Sequence, residues 1–124
     1  MSQPTEEEAK ELLAKFREAE AAIPQIVEDR SGYPVYPKPI NEFTRFISLS
    51  AWSRTDYSAF PLQELKGRIE EVNLDEVRAL LTLVIRMERF SPGGLKTLLD
   101  EGSVEKMVGR AVQLTTTNQD PLSS

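Results

Sequence analysis

The sequence predicts an all-α protein, a compact orthogonal bundle of five or six helices around one core. Three observations carry that expectation. Apolar residues recur at helical spacing in several stretches, two capping boxes mark helix starts, and the prolines fall between the stretches. At 124 residues the chain has the size of a single domain. We assign residues 1–114 to a helical domain and 115–124, which lack apolar periodicity, to a flexible tail. Residues 1–4 and 116–124 are expected to be dispensable.

The first helix spans about residues 5–22. Thr5 and Glu8 form a capping box, and the acidic run Glu6-Glu7-Glu8 complements the positive helix end. Ala9, Leu12, Leu13, Phe16, Ala19 and Ile23 share one face, and Pro24 stops the helix. Residues 24–39 form a proline-rich irregular segment, with Pro24, Pro34, Pro37 and Pro39 arguing against a helix interior or a central strand. Its Tyr33–Pro37 stretch is read as extended, near polyproline II, with a short edge hairpin as the alternative.

A second helix begins near Ile40 or Asn41 and buries Ile40, Phe43, Phe46 and Ile47. Pro61 suits a first helical position for a third helix over Leu62–Val72, weakened by Gly67. The strongest segment follows. Asn73 and Glu76 form the second capping box, and Leu74, Val77, Leu80, Leu81, Val84 and Ile85 make a stripe that Leu83 and Met87 widen. A helix apolar over so much of its circumference belongs at the centre of the core. Ser91-Pro92-Gly93-Gly94 ends it, and the Ser-Pro pair can open the next helix. Gly102 and Ser103 then punctuate a last helix carrying Val104, Met107, Val108, Ala111 and Val112.

Composition removes whole classes of chemistry. With no histidine and no cysteine, the chain has no catalytic triad, no thiolate nucleophile, no disulfide and no Cys/His zinc site. No cofactor and no metal is expected. The net charge of −5 contains no basic block, which disfavours nucleic acid. No apolar run is long enough to cross a bilayer, and the acidic, polar start is unlike a secretory leader. The cytoplasm is the expected location.

Leu81-Thr82-Leu83-Val84-Ile85-Arg86-Met87-Glu88-Arg89-Phe90, followed by a leucine-rich stretch ending in Glu101-Gly102, resembles a family of small bacterial proteins defined only as a domain of unknown function. Its wording there is Leu-Thr-x-x-x-Arg-x-Glu-Arg-Phe, with Glu or Asp at the acidic position. The resemblance spans about residues 33–114. Upstream, Thr55-Asp56-Tyr57-Ser58-Ala59-Phe60 is similar to the family's aromatic Phe-Asp-Trp-x-x-Trp segment, with Tyr57 and Phe60 where tryptophans are usual. The resemblance implies a compact helical fold and no particular activity.

Two surfaces stand out. Arg86 and Arg89, three apart on one helix, can grip a carboxylate or phosphate, and Arg78 lies on roughly the same side. The amides of Ser91, Gly93 and Gly94 at the next helix start can add to that anion site. Against it stands a structural reading, in which the arginines complement the helix end and pair with Glu88 or with acids of the first helix. Trp52, Tyr57 and Phe60 are the second surface, either a partner contact or a cover over the core. The adjacent acid pairs read as solvated faces rather than as a two-carboxylate catalyst. The function expected is therefore a non-enzymatic protein–protein interaction or regulatory module, of the immunity or antitoxin kind found in bacteria and their phages. Its partner would be another protein, with self-association open. The alternative is a small anionic-ligand binder built on Arg86, Arg89 and the Ser91–Gly94 turn. An enzyme using carboxylates alone ranks third.

Overall fold

Capping and apolar spacing translate directly into helices in the computed structural model, which describes residues 3–117. Helix α1 (Glu6–Ala21) starts on the expected capping box: the Thr5 amide donates to Glu8 Oε1 at 2.9 Å, and the Glu8 amide donates to Thr5 Oγ1 at 3.1 Å. Its buried face of Ala9, Leu12, Phe16 and Ala19 lies against α2 (Lys38–Leu49) and α6 (Ser103–Thr117). Phe16 meets Phe43 of α2 edge to face, with ring centroids 5.8 Å apart. Pro4 is buried just before the start of α1.

The proline-rich segment takes its hairpin alternative. Strands β1 (Val27–Glu28) and β2 (Pro34–Val35) pair antiparallel, with Val27 opposite Val35. Asp29 Oδ1 accepts from the Ser31 and Tyr33 amides, and Gly32 takes a positive φ of 83°, so the turn is held locally. Helix α2 begins at Lys38, two residues earlier than expected, because Pro39 fits the first turn, where no amide partner is needed.

The third helix is shorter than expected. Helix α3 (Leu62–Lys66) stops at Gly67, and the chain re-forms only a 3-10 turn over Ile69–Glu71. Leu65 and Ile69 are both buried in the core. Helix α4 (Leu74–Phe90) is the central element, touching α2, α3, α5 (Gly94–Asp100) and α6. Its Val77, Leu80, Leu81 and Val84 are fully buried.

Ser91 and Pro92 do not open α5, which starts at Gly94. The two glycines there have different reasons, one of backbone conformation and one of packing. Gly93 takes a φ of 89°, the left-handed region that suits glycine, while a Cβ on Gly94 would sit 3.3 Å from Met87. Helix α6 runs to Thr117, beyond the expected boundary at 114. Thr115 is buried, because its hydroxyl donates to the Ala111 carbonyl at 3.0 Å and so needs no water. The rest of the expected tail, residues 118–124, lies outside the described residues. Six α-helices, three short 3-10 turns and one hairpin of two-residue strands are the elements of the described residues, an all-α bundle. No helix among the described residues is long and apolar enough to cross a membrane.

Candidate anion-binding cleft

Glu88 decides the fate of the arginines. It stands between them in sequence, yet its carboxylate turns toward the α5 corner. Oε2 accepts from the Gly93 amide at 3.0 Å, and Oε1 accepts from the Leu95 amide at 3.2 Å and from the Tyr36 hydroxyl at 2.7 Å. The Lys96 amide in turn donates to the Tyr36 hydroxyl at 3.2 Å. Burial, and next the hydrogen bond to Glu88, push the Tyr36 phenol above its ordinary range.

Two expectations are corrected by this arrangement. The Gly93 amide is already occupied by the protein's own carboxylate, the Gly94 amide closes a turn onto the Ser91 carbonyl at 2.8 Å, and Ser91 itself is exposed. The amides of Ser91, Gly93 and Gly94 are therefore engaged within the protein, at a structural corner. Glu88 is likewise unavailable to Arg86 or Arg89. Glu88→Gln should cost about 1–3 kcal/mol, because Gln keeps one acceptor oxygen but sets an NH2 group against a backbone N–H. Urea unfolding measures it; a loss below about 0.3 kcal/mol would mean that the corner holds without the carboxylate.

Arg86 and Arg89, freed from Glu88, converge with a residue that sequence reasoning passed over. Arg45 of α2, with Thr44 and Ser48, faces Ile85, Arg86 and Arg89 of α4 across a cleft of about 180 Å³. None of the three arginines makes an ion pair or side-chain hydrogen bond among the described residues. The Arg86 Nε is buried with no hydrogen-bond partner. A buried donor on a charged group without an acceptor is unfavourable. The Thr44 hydroxyl already donates to the Asn41 carbonyl at 3.0 Å, whereas the Ser48 hydroxyl makes no hydrogen bond among the described residues and is free to donate. Nothing local in the sequence announces Arg45. The one signal is that Ile40, Phe43 and Ile47 fix the buried face of α2, which leaves Thr44 and Ser48 at its border.

Arg78 does not join the cluster. It is 6% exposed, its Nη2 donates to the Ser53 carbonyl at 3.3 Å, and its Nη1 lies 3.9 Å from Asp75. Burial, and then the nearby Arg54 charge, disfavour its protonated form. Arg54 grips Asp56 with two hydrogen bonds of 2.8 and 2.9 Å and reaches Asp75 at 2.8 Å. Its amide donates to Thr82 Oγ1, and its guanidinium lies 5.1 Å from the Phe60 ring centroid. This ionic network fastens residues 53–60 to α4.

The aromatic surface is dismantled by the same packing. Trp52 is fully buried and its indole N–H donates to the Glu8 carbonyl at 3.2 Å, so its role as a partner contact is overturned: it is core. Phe60 is half-buried beneath Arg54, and Tyr57 opens a 3-10 turn (Tyr57–Ala59) packed on α4. The three do not share one exposed face. The large apolar side chains that are exposed include instead Val27, Tyr33 and Val35 of the hairpin and Leu49 at the end of α2.

The molecule is thus a small helical bundle with an arginine-lined cleft between α2 and α4. The chain belongs to the family described as a family of unknown function (DUF6508), whose model matches residues 28–117. Both arginine-bearing helices fall inside the matched region. Comparison with curated proteins and with solved structures finds no match.

Proposed function

We propose that this protein is a non-enzymatic binding protein that recognises an anionic group, phosphate or carboxylate, in the Arg45–Arg86–Arg89 cleft. The single observation that carries this reading is the convergence of three arginines, from two helices, with no acidic partner among the described residues. Like charges gathered without counter-charge repel one another, and a ligand anion offsets that repulsion through charge-assisted hydrogen bonds. The expected protein–protein interaction role is the second reading, favoured by the exposed Val27, Tyr33 and Val35 on the hairpin. Regulation, immunity or antitoxin action in the cytoplasm of a bacterium or phage-infected cell is the setting we propose, supported by the cysteine-free, acidic composition.

The test compares wild type with the Arg86→Gln/Arg89→Gln double substitution in sulfate, phosphate and chloride at equal ionic strength. In chloride the two proteins should agree within about 0.5 kcal/mol, since no ion pair is lost. Phosphate at about 50 mM, bound with a Kd of about 1 mM, should stabilise wild type by about 2.3 kcal/mol more than it stabilises the doubly substituted protein. Sulfate also acts non-specifically through exclusion from the surface, so the difference between the two proteins is the informative quantity. Equal responses would eliminate the anion site. A loss above about 1 kcal/mol in chloride would return the arginines to a structural role.

A further inference from the structure

Arg45 borders two depressions. On one side lies the arginine cleft; on the other, a groove of about 480 Å³ between α1 and α2. Apolar surface in the groove comes from half-buried Phe46 and from Leu49, which is 76% exposed. Its charged lining is mostly acidic: Glu8, Glu11 and Glu42 against Lys15 and Arg45. Glu8 is committed to the α1 cap, and Glu42 reaches Lys38 at 3.7 Å, but Glu11 has no partner among the described residues.

This sequence of surfaces across α2, cationic cleft, then apolar ledge, then an α1 wall carrying Glu8, Glu11 and Lys15, constrains what fits. A nucleic acid or other polyanion running out of the cleft would meet a lining of three carboxylates and two cations on a chain of net charge −5, which opposes its repeated charges. A single anion followed by aliphatic and basic groups is complementary throughout. The cleft also asks for more than a carboxylate. Each guanidinium offers five N–H donors in a planar fork, and a carboxylate presents only two oxygens, whereas a phosphomonoester presents three strong acceptor oxygens and nearly two negative charges.

Resting on the anion-binding reading above, we infer that the ligand is a phosphorylated segment of a partner protein. Its phosphoserine or phosphothreonine sits among Arg45, Arg86 and Arg89, an aliphatic side chain lies on Phe46 and Leu49, and a lysine or arginine faces Glu11. Arginine-cluster recognition of a phosphate, with specificity from a flanking groove, is an established mode of peptide capture.

The probe is a synthetic degenerate peptide pool with a fixed central phosphoserine, set against pools with serine or glutamate at that position. The phosphoserine pool should be retained at least tenfold better than the serine pool. Sequencing of what is retained should show aliphatic and basic residues enriched on one side of the phosphoserine. Two substitutions at exposed positions, chosen so that the fold is left intact, separate the parts. Leu49→Asp should weaken a selected peptide at least tenfold while leaving stabilisation by inorganic phosphate unchanged, and Arg45→Gln should reduce both. Phosphate stabilisation without phosphoserine preference, or with an inert Leu49→Asp, overturns the peptide inference and leaves the anion cleft standing. Loss of both responses in wild type overturns the two together. Tighter binding of a dT12 oligonucleotide than of any phosphopeptide overturns the charge reasoning and assigns the cleft to a polyanion.

Discussion

Trp52→Ala should destabilise the protein by about 3–5 kcal/mol, the range for removing a large aromatic side chain from a packed interior. Trp52 is fully buried although it lies outside every helix, in the segment linking α2 to the 3-10 turn at Tyr57–Ala59. Its indole N–H ties that segment to the Glu8 carbonyl of α1, so the substitution removes a hydrogen bond across the bundle along with the apolar area. For a domain of this size each kcal/mol shifts the Tm by roughly 3–6 °C, so a fall of about 10–30 °C is expected. Because Trp52 is the one tryptophan of the chain, unfolding should be followed by circular dichroism instead of fluorescence. Trp52→Phe, which keeps most of the ring surface, should lose much less. Had Trp52 been a partner contact on the surface, Trp52→Ala would change stability by no more than about 0.5 kcal/mol. That outcome would also displace the packing of residues 50–60.

Leu81→Ala should cost about 2–5 kcal/mol. Leu81 is fully buried near the middle of α4, the helix that touches α2, α3, α5 and α6, so the site has neighbours on several sides and little freedom to collapse into the cavity. Leu83, two residues on and only half-buried, is the internal control: Leu83→Ala should cost distinctly less. The measurement is the midpoint and slope of urea unfolding for both substitutions. A cost below about 0.5 kcal/mol at Leu81 would remove α4 from the centre of the core.

Local order was legible where its causes are local. Both capping boxes involve residues three apart, and Thr5 with Glu8 and Asn73 with Glu76 form them as their spacing implies. The inward faces of α1, α2 and α4 follow from apolar period alone. Errors fell where a local signal was ambiguous. Gly67 ended a helix that periodicity alone would have continued, and the Ser-Pro pair at 91–92 remained in the turn. Thr115 looked like the start of a tail, because a threonine's capacity to satisfy its own hydroxyl on the preceding turn is invisible to hydropathy.

The site was legible only in half. From the sequence come the all-α class, the central helix, the exclusion of histidine and cysteine chemistry, and the pairing of Arg86 with Arg89 on one helix face. Tertiary structure alone decided what those arginines face. It turned Glu88 toward Tyr36 and the α5 amides, 52 and five residues away from it in sequence, and so left the arginines without the acid beside them. It brought Arg45 from α2 to complete the cleft, drew Trp52 into the core, and set Arg78 apart in a network with Asp75 and Ser53. The physical reason is common to all four. Helix formation is governed by contacts within one or two turns, which sequence spacing encodes, whereas the partner of a charged or aromatic side chain is chosen by helix–helix packing across long chain separations.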